Sequence, residues 1–293
     1  MNRNNNWITD ILIHLALILT AAVLFAASFP NPVFIHGLPF LAWFAYIPIL
    51  IVINKYGLAA CVCWGAVYGL TAYSLFNYWL SSFHPIAGTI VYTIYLTYLI
   101  IVFVLMKAAC IFFPKRGYLV QWIIWLAYEY LRTLGFLGYS YGITGYSQWQ
   151  MIPLIQIASI TGVWGVSALV TFPSFWLGAA FNKDLLPRTI TNQHEQRERI
   201  QSSGSWSFVS SVINKILNHY HKEKIPAIIW AAALITALTF GIITDKKISG
   251  SIAKDSYPTV NIALIQHKPI HGKRHKLLLH GRYSMRTEEI LQL

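Results

Sequence analysis

Residues 89–113 read TIVYTIYLTYLIIVFVLMKAACIFF, an apolar run broken by one charge, Lys107. A helix of about 20 mostly apolar residues crosses the hydrocarbon of a bilayer, so this run is expected to span a membrane. Working outward, six further segments have the same character: 11–29, 36–53, 58–80, 119–137, 162–181 and 225–244. The second is short and carries Pro39 and Pro48, which predicts a kink or a tilt. Composition agrees. Of 293 residues 56% are hydrophobic and 11% charged, where soluble domains carry about 25% charged residues. The net charge of +12 is concentrated in short blocks beside apolar runs, the pattern of a membrane protein being oriented. A nucleic-acid partner is therefore not expected.

Those blocks set an orientation. With the N-terminus in the cytoplasm, the cytoplasmic segments hold Arg3, Lys55, Lys115 and Arg116, and seven basic residues fall between 182 and 224. The outer segments 30–35, 81–88 and 138–161 hold no Lys or Arg. Seven spans then place residues 245–293 outside the cytoplasm. Arg3 followed by an apolar stretch without a small-x-small site reads as a retained first helix rather than a cleaved leader.

The polar stretches differ from one another. Residues 182–224, rich in Gln, Ser and charge, predict a mobile cytoplasmic insertion in which Trp206 to Leu217 could form an interfacial amphipathic helix. Residues 138–161 set Tyr139, Tyr141, Tyr146 and Trp149 among glycines, which suits an aromatic loop at the outer membrane–water boundary. Tyr257 to Gln266 reads as a short buried strand entering an α/β domain. The domains expected are a bundle over 1–245, with its insertion at 182–224, and the start of a soluble domain over 246–293.

Few side chains suggest chemistry. Glu129 and Arg132 lie at i, i+3 in the fifth span and can face each other. Ionisable groups there face a bundle interior or a wet cavity. They read either as a headgroup contact or loop anchor, or as a structural ion pair. Lys107 is placed to snorkel to the interface, and His14 reads as a satisfied core histidine. His36 and His84 are isolated in outer loops. Cys61, Cys63 and Cys110 read as small buried hydrophobes without metal-ligand spacing. Glu288 and Glu289 read as a solvated helix face. No hydrolase, zincin or phosphate-loop motif occurs, and neither a metal nor a cofactor is expected.

Several stretches taken in order resemble apolipoprotein N-acyltransferase. They are Glu129-Tyr130-Leu131-Arg132, then Gly145-Tyr146-Ser147-Gln148, then Gly162-Val163-Trp164-Gly165-Val166-Ser167. Phe29-Pro30 and Leu41 to Pro48 resemble the first hairpin of that family. Trp64-Gly65, Tyr78-Trp79-Leu80, His84 and Gly88 resemble its third span and following loop, and Asn261 to Gln266 resembles the first strand of its nitrilase-like domain. The resemblance implies an all-α polytopic bundle in a bacterial inner membrane, followed by a truncated α/β nitrilase-like start in the periplasm. It also implies transfer of an acyl chain from a phospholipid to the amine of a diacylglyceryl-cysteine on a lipoprotein. In the family a cysteine thiolate, a glutamate base and an oxyanion-stabilising lysine do that chemistry. None can be placed here, because the match fades after Gln266, where the tail holds four His and six Lys or Arg in 27 residues. A frame change, divergence, or a split gene with a separate partner chain would each account for this. Residues expected to contact substrate are Glu129, Arg132, Tyr146, Gln148 and Trp149.

A lipid-binding scaffold, a pseudoenzyme and a small transporter are the alternative readings. The 293 residues by themselves are expected to be inactive. Palmitoyl transfer from labelled phospholipid to a diacylated lipopeptide should stay at background with the purified chain, and appreciable turnover would overturn that expectation.

Overall fold

The computed structural model describes residues 6–82, 84–135, 138–181 and 205–253. Every element among them is helical: α1 (Asn6–Ser28), α2 (Ile47–Lys55), α3 (Leu58–Phe76), α4 (Pro85–Phe112), α5 (Gly117–Leu131), α6 (Ile152–Ile155), α7 (Ala158–Ala179), α8 (Ser205–Lys222) and α9 (Lys224–Ala253). Three 3₁₀ turns, Pro39–Trp43, Tyr78–Ser82 and Thr144–Gln148, join them. The chain forms two compact units, Met1–Gly241 and Ile242–Leu293, and the packing described below lies in the first. The expected strand at Tyr257 to Gln266 and most of the insertion, residues 182–204, fall outside the described residues.

Five helices, α1, α3, α4, α7 and α9, are long and apolar enough to cross a membrane. The second and fifth expected spans fall short. The second divides into the Pro39–Trp43 turn and α2, each with a proline in its first turn where a missing N–H costs nothing. The fifth stops at Leu131, not near 137. Its 15 residues rise about 22 Å, against about 30 Å of hydrocarbon. The label α7 covers a break, since Gly162 at φ +65° separates the first turn from Val163 onward. That backbone conformation favours glycine.

Both short elements nevertheless connect the same two ends of the bundle as their neighbours do. At one end Lys55, the last residue of α2, meets Asp10 of α1 at 3.5 Å, and His14 of α1 lies edge-on to Tyr56 at 5.2 Å. Lys107 of α4 donates to the Asn54 carbonyl at 3.1 Å. Gln121 of α5 donates to the Asn54 side chain at 3.3 Å and to the Met106 carbonyl at 3.1 Å. Trp176 of α7 donates to the Glu223 carbonyl at 3.1 Å. Arg116 pairs with Glu223 at 3.5 Å, so the start of α5 and the α8–α9 junction sit at this end too. At the other end, the rings of Phe25, Phe29 and Phe76 pack together, and Tyr139 donates to Asn77 at 2.8 Å. Among the described residues of the first unit Lys55, Lys107, Lys115, Arg116, Lys222 and Lys224 mark the basic end, and Arg132 is the one cation at the aromatic end.

Lys107 does not snorkel. It is buried and caps the last turn of α2, where a cation meets carbonyls that have no helical partner. His14 is buried as expected and bonds the Asp10 carbonyl. Cys61 is buried, but Cys63 is exposed and Cys110 half-buried. The Trp206–Leu217 segment is helical within α8, whose apolar Ile213 and Leu217 are exposed while His219 packs on Tyr118 and Trp176. Burial lowers the pKa of His219 below its ordinary value, so its ring is neutral near pH 7.

Lipid tails are as apolar as leucine, so helices in a bilayer associate through close fit rather than through the hydrophobic effect. The α3–α4 pair shows that fit. A Cβ on Gly65 would stand 2.7 Å from the Leu99 carbonyl oxygen, and one on Gly69 2.9 Å from the Leu96 Cα. These two glycines, four residues apart, let backbones touch. Gly65→Val is therefore expected to cost about 1–3 kcal/mol by forcing α4 outward, read as a lower melting temperature in detergent. Gly57→Ala, with open space around it, should change little.

Candidate functional site

The two charged residues of α5 lie beside its C-terminal end and the irregular segment that follows. Glu129 is 1% and Arg132 3% exposed. They do not form an ion pair: among the described residues the pairs are Lys55–Asp10 and Arg116–Glu223. The expectation from i, i+3 spacing fails because Arg132 is the C-cap of α5 and its side chain turns to the chain beyond the helix.

Each charge instead binds backbone that has left helical geometry. Arg132 Nη1 donates to the Tyr139 carbonyl at 3.2 Å, to the Tyr141 carbonyl at 2.8 Å and to the Tyr95 hydroxyl. In return the Tyr139 N–H donates to the Arg132 carbonyl at 3.0 Å. The guanidinium lies 5.3–5.8 Å from the rings of Tyr73, Tyr95 and Tyr128, a cation–π enclosure. That enclosure is itself tied together. Tyr73 stacks on Tyr95 at 3.6 Å and shares a hydroxyl hydrogen bond of 2.9 Å with Tyr128. Arg132 Nε and Nη2 have no hydrogen-bond acceptor among the described residues.

Glu129 Oε1 accepts from the Thr144 N–H at 3.0 Å, from the Thr144 hydroxyl, and from Trp125 Nε1 at 3.3 Å. Its carboxyl thus caps the N-terminus of the Thr144–Gln148 turn, where free N–H groups favour an acidic partner. The Tyr46 hydroxyl also bonds Thr144, and the Gly145 N–H donates to Ser167 Oγ at 2.9 Å. A Cβ on Gly145 would stand 2.7 Å from the Val163 carbonyl oxygen, so glycine is required where the turn crosses α7. Gln148 is fully buried. It donates to the Pro39 carbonyl at 2.8 Å and accepts from Trp43 Nε1 at 3.2 Å.

The five expected contact residues therefore divide. Glu129, Arg132 and Gln148 are buried and hold the loop. Tyr146 and Trp149 are about half exposed, and Trp149 has the His36 ring as a neighbour at 6.1 Å. His84 caps α4 by accepting from the Ile86 N–H at 3.2 Å. Sequence reasoning missed Thr144, Ser167, Trp43 and the Tyr73–Tyr95–Tyr128 enclosure. Hydroxyl groups inside apolar helices are the signal that could have found them.

Beside the enclosure an open groove of about 300 Å³ runs between α4 and α5, lined by Ile101, Leu105, Ile124 and Leu131 and ending at Tyr128 and Arg132. Its apolar walls suit a hydrocarbon chain. Among the described residues no three His, Cys, Asp or Glu side chains gather as metal ligands would.

Comparison with known proteins gives a consistent result. The apolipoprotein N-acyltransferase N-terminal domain family matches residues 21–176, more than half of the chain. Apolipoprotein N-acyltransferase 1 of Treponema denticola is 35% identical over 237 residues, covering 81% of this chain and 39% of that protein. Apolipoprotein N-acyltransferase 1 of Treponema pallidum is 43% identical over 168 residues, 57% of this chain and 31% of that protein. The apolipoprotein N-acyltransferase of Geobacter metallireducens is 32% identical over 160 residues, 51% and 30% respectively. The chain thus spans about two fifths or less of the length of these relatives. A separate chain carrying a soluble domain gains no support from them. No solved structure matches.

The division between anchors and exposed aromatics is testable by melting. Gln148→Ala should cost about 1–3 kcal/mol, because Trp43 Nε1 and the Pro39 carbonyl lose buried partners. Tyr146→Ala and Trp149→Ala should stay within about 0.5 kcal/mol of the parent. Equal losses at all three positions would refute the division.

Proposed function

Because the chain belongs to the apolipoprotein N-acyltransferase N-terminal domain family, we propose that it is the membrane half of a lipoprotein-maturation acyltransferase, holding lipid substrates beside their site of reaction. The family's name and the five long apolar helices support a multi-pass membrane protein of acyl transfer. The substrates proposed are a phospholipid acyl donor and the diacylglyceryl-cysteine at the start of a lipoprotein. The observation that carries the reading is the α4–α5 groove, an open apolar groove that ends at the Arg132 enclosure in the aromatic half of the bundle.

In this reading a donor acyl chain lies along Ile101, Leu105 and Ile124, with its polar end toward Tyr128 and Arg132. Glu129, Arg132 and Gln148 act as positioning residues by fixing residues 138–149. Tyr146 and Trp149 present exposed rings, and such amphipathic aromatics favour the headgroup level of a membrane. They contact the polar parts of the lipids. The thiolate, glutamate base and oxyanion-stabilising lysine that the resemblance implies belong to a nitrilase-like domain, and no described residue is given their roles. The basic end lies in the cytoplasm and the aromatic end faces the periplasm, as the distribution of Lys and Arg supports. The scaffold, pseudoenzyme and transporter readings share the groove but not the lipopeptide substrate.

Two experiments test this. A phospholipid with a photoactivatable acyl chain should label the α4–α5 groove, and unlabelled phospholipid should compete. Leu105→Trp, which fills the groove, should reduce that label several-fold. Uniform labelling of the lipid-facing surface, unchanged by Leu105→Trp, would contradict the assignment. For orientation, a reporter fused after residue 266 should be active only in the periplasm, and activity only in the cytoplasm would reverse the topology.

A further inference from the structure

A second cavity lies away from the Arg132 enclosure, on the α5–α7–α9 side. It measures about 700 Å³, more than twice the α4–α5 groove. Its walls include Trp122 of α5, Gly165 and Ala168 of α7, and Ile229 and Ala233 of α9, with Arg116 at the basic end. Every lining residue except Arg116 is uncharged.

The cavity exists because α9 stands off the bundle. Only 11% of its membrane-crossing window is buried, against 33–39% in the other four long helices. Its contacts gather in a few side chains. Trp230 donates to the Leu169 carbonyl at 2.8 Å, stacks on Phe172 at 5.9 Å and meets Trp43 edge-on at 6.2 Å. Leu234 and Leu238 pack on Ala42, Leu154, Val166 and Val170. On the α5 side no described residue fills the space. An unfilled apolar void forfeits dispersion contacts along its walls, and the surrounding bilayer supplies hydrocarbon that can restore them.

The mouth adds charge. Arg116 is 60% exposed at its side chain, with its Nε 3.5 Å from Glu223. Lys115, Lys222 and Lys224 are its exposed neighbours in sequence and across the α8–α9 junction. Four cations stand against one carboxyl there. Basic pockets between membrane helices bind anionic lipid headgroups, and a guanidinium suits phosphate oxygens.

We propose that the cavity between α5, α7 and α9 is a binding site for an anionic phospholipid, its acyl chain against Trp122, Ala168 and Ala233 and its phosphate at Arg116. This lipid joins α9 to the bundle. Its phosphate end lies opposite the Arg132 enclosure, and it is a resident lipid, not an acyl donor. The site therefore does not depend on the acyl-transfer reading.

The test is native mass spectrometry of the full chain released from micelles containing equal phosphatidylglycerol and phosphatidylethanolamine. The parent protein should retain one phosphatidylglycerol several-fold over phosphatidylethanolamine. Ala168→Leu with Ala233→Leu, which fills the cavity, should remove that adduct. Lys115→Gln with Arg116→Gln should bring the two lipids to near parity. Leu105→Trp, in the other groove, should leave the adduct unchanged. Intrinsic tryptophan fluorescence and a single size-exclusion peak establish that each variant is folded. Parent protein carrying the two lipids in equal amounts would overturn the proposal, and so would a folded cavity-filled variant that keeps the adduct.

Discussion

A chain that leaves helical geometry inside a bilayer must find protein partners for every N–H and C=O it exposes, because hydrocarbon offers none. Residues 138–148 leave helical geometry after α5 stops short, and where they are buried, as at Gly142 to Gly145, their backbone groups need protein partners in the same way. Glu129 and Arg132 meet that need from the helix end just before the break. Arg132 binds the carbonyls of Tyr139 and Tyr141, and Glu129 binds the N–H and hydroxyl of Thr144. A carboxyl and a guanidinium three residues apart, which would ordinarily pair with each other, are instead spent on opposite polarities of the same strip of backbone.

The rest of the aromatic end follows from that arrangement. With Thr144 fixed by Glu129 and Tyr46, the following turn brings Gly145 onto Ser167 of α7 and Gln148 onto Pro39 and Trp43. One short turn thereby connects α5, α7 and the entry to α2. Tyr73 and Tyr95 carry the connection to α3 and α4 through the Arg132 enclosure. Tyr146 and Trp149 sit exposed on this platform, and the α4–α5 groove opens beside it. Close glycine packing between α3 and α4 gives that groove a firm wall.

Much of this was legible in the residues. The apolar runs located α1, α3, α4, α7 and α9, since length and hydropathy suffice for a helix that meets no obstacle. Pro39 and Pro48 signalled the divided second span. The fifth span was overextended because hydropathy continues smoothly through Leu134 and Leu137, while the helix end is set by where Arg132 finds acceptors, a tertiary fact. The same fact undid the Glu129–Arg132 pair expected from spacing. Lys107 reads as an interfacial lysine in one dimension, and only the approach of α2 reveals the carbonyl it caps. The motif Gly145-Tyr146-Ser147-Gln148 was visible in sequence, but its split into buried anchors and exposed rings depended on which residues face α7.

Amide hydrogen exchange tests the central claim most directly, through the rate at Thr144 and Gly145 in the parent and in Glu129→Ala. The account predicts slow exchange in the parent and a gain of at least tenfold across residues 138–149 in the variant, with the α3–α4 amides unchanged. If Glu129→Ala left those amides protected, or released the whole bundle equally, the carboxyl would not be what holds the turn.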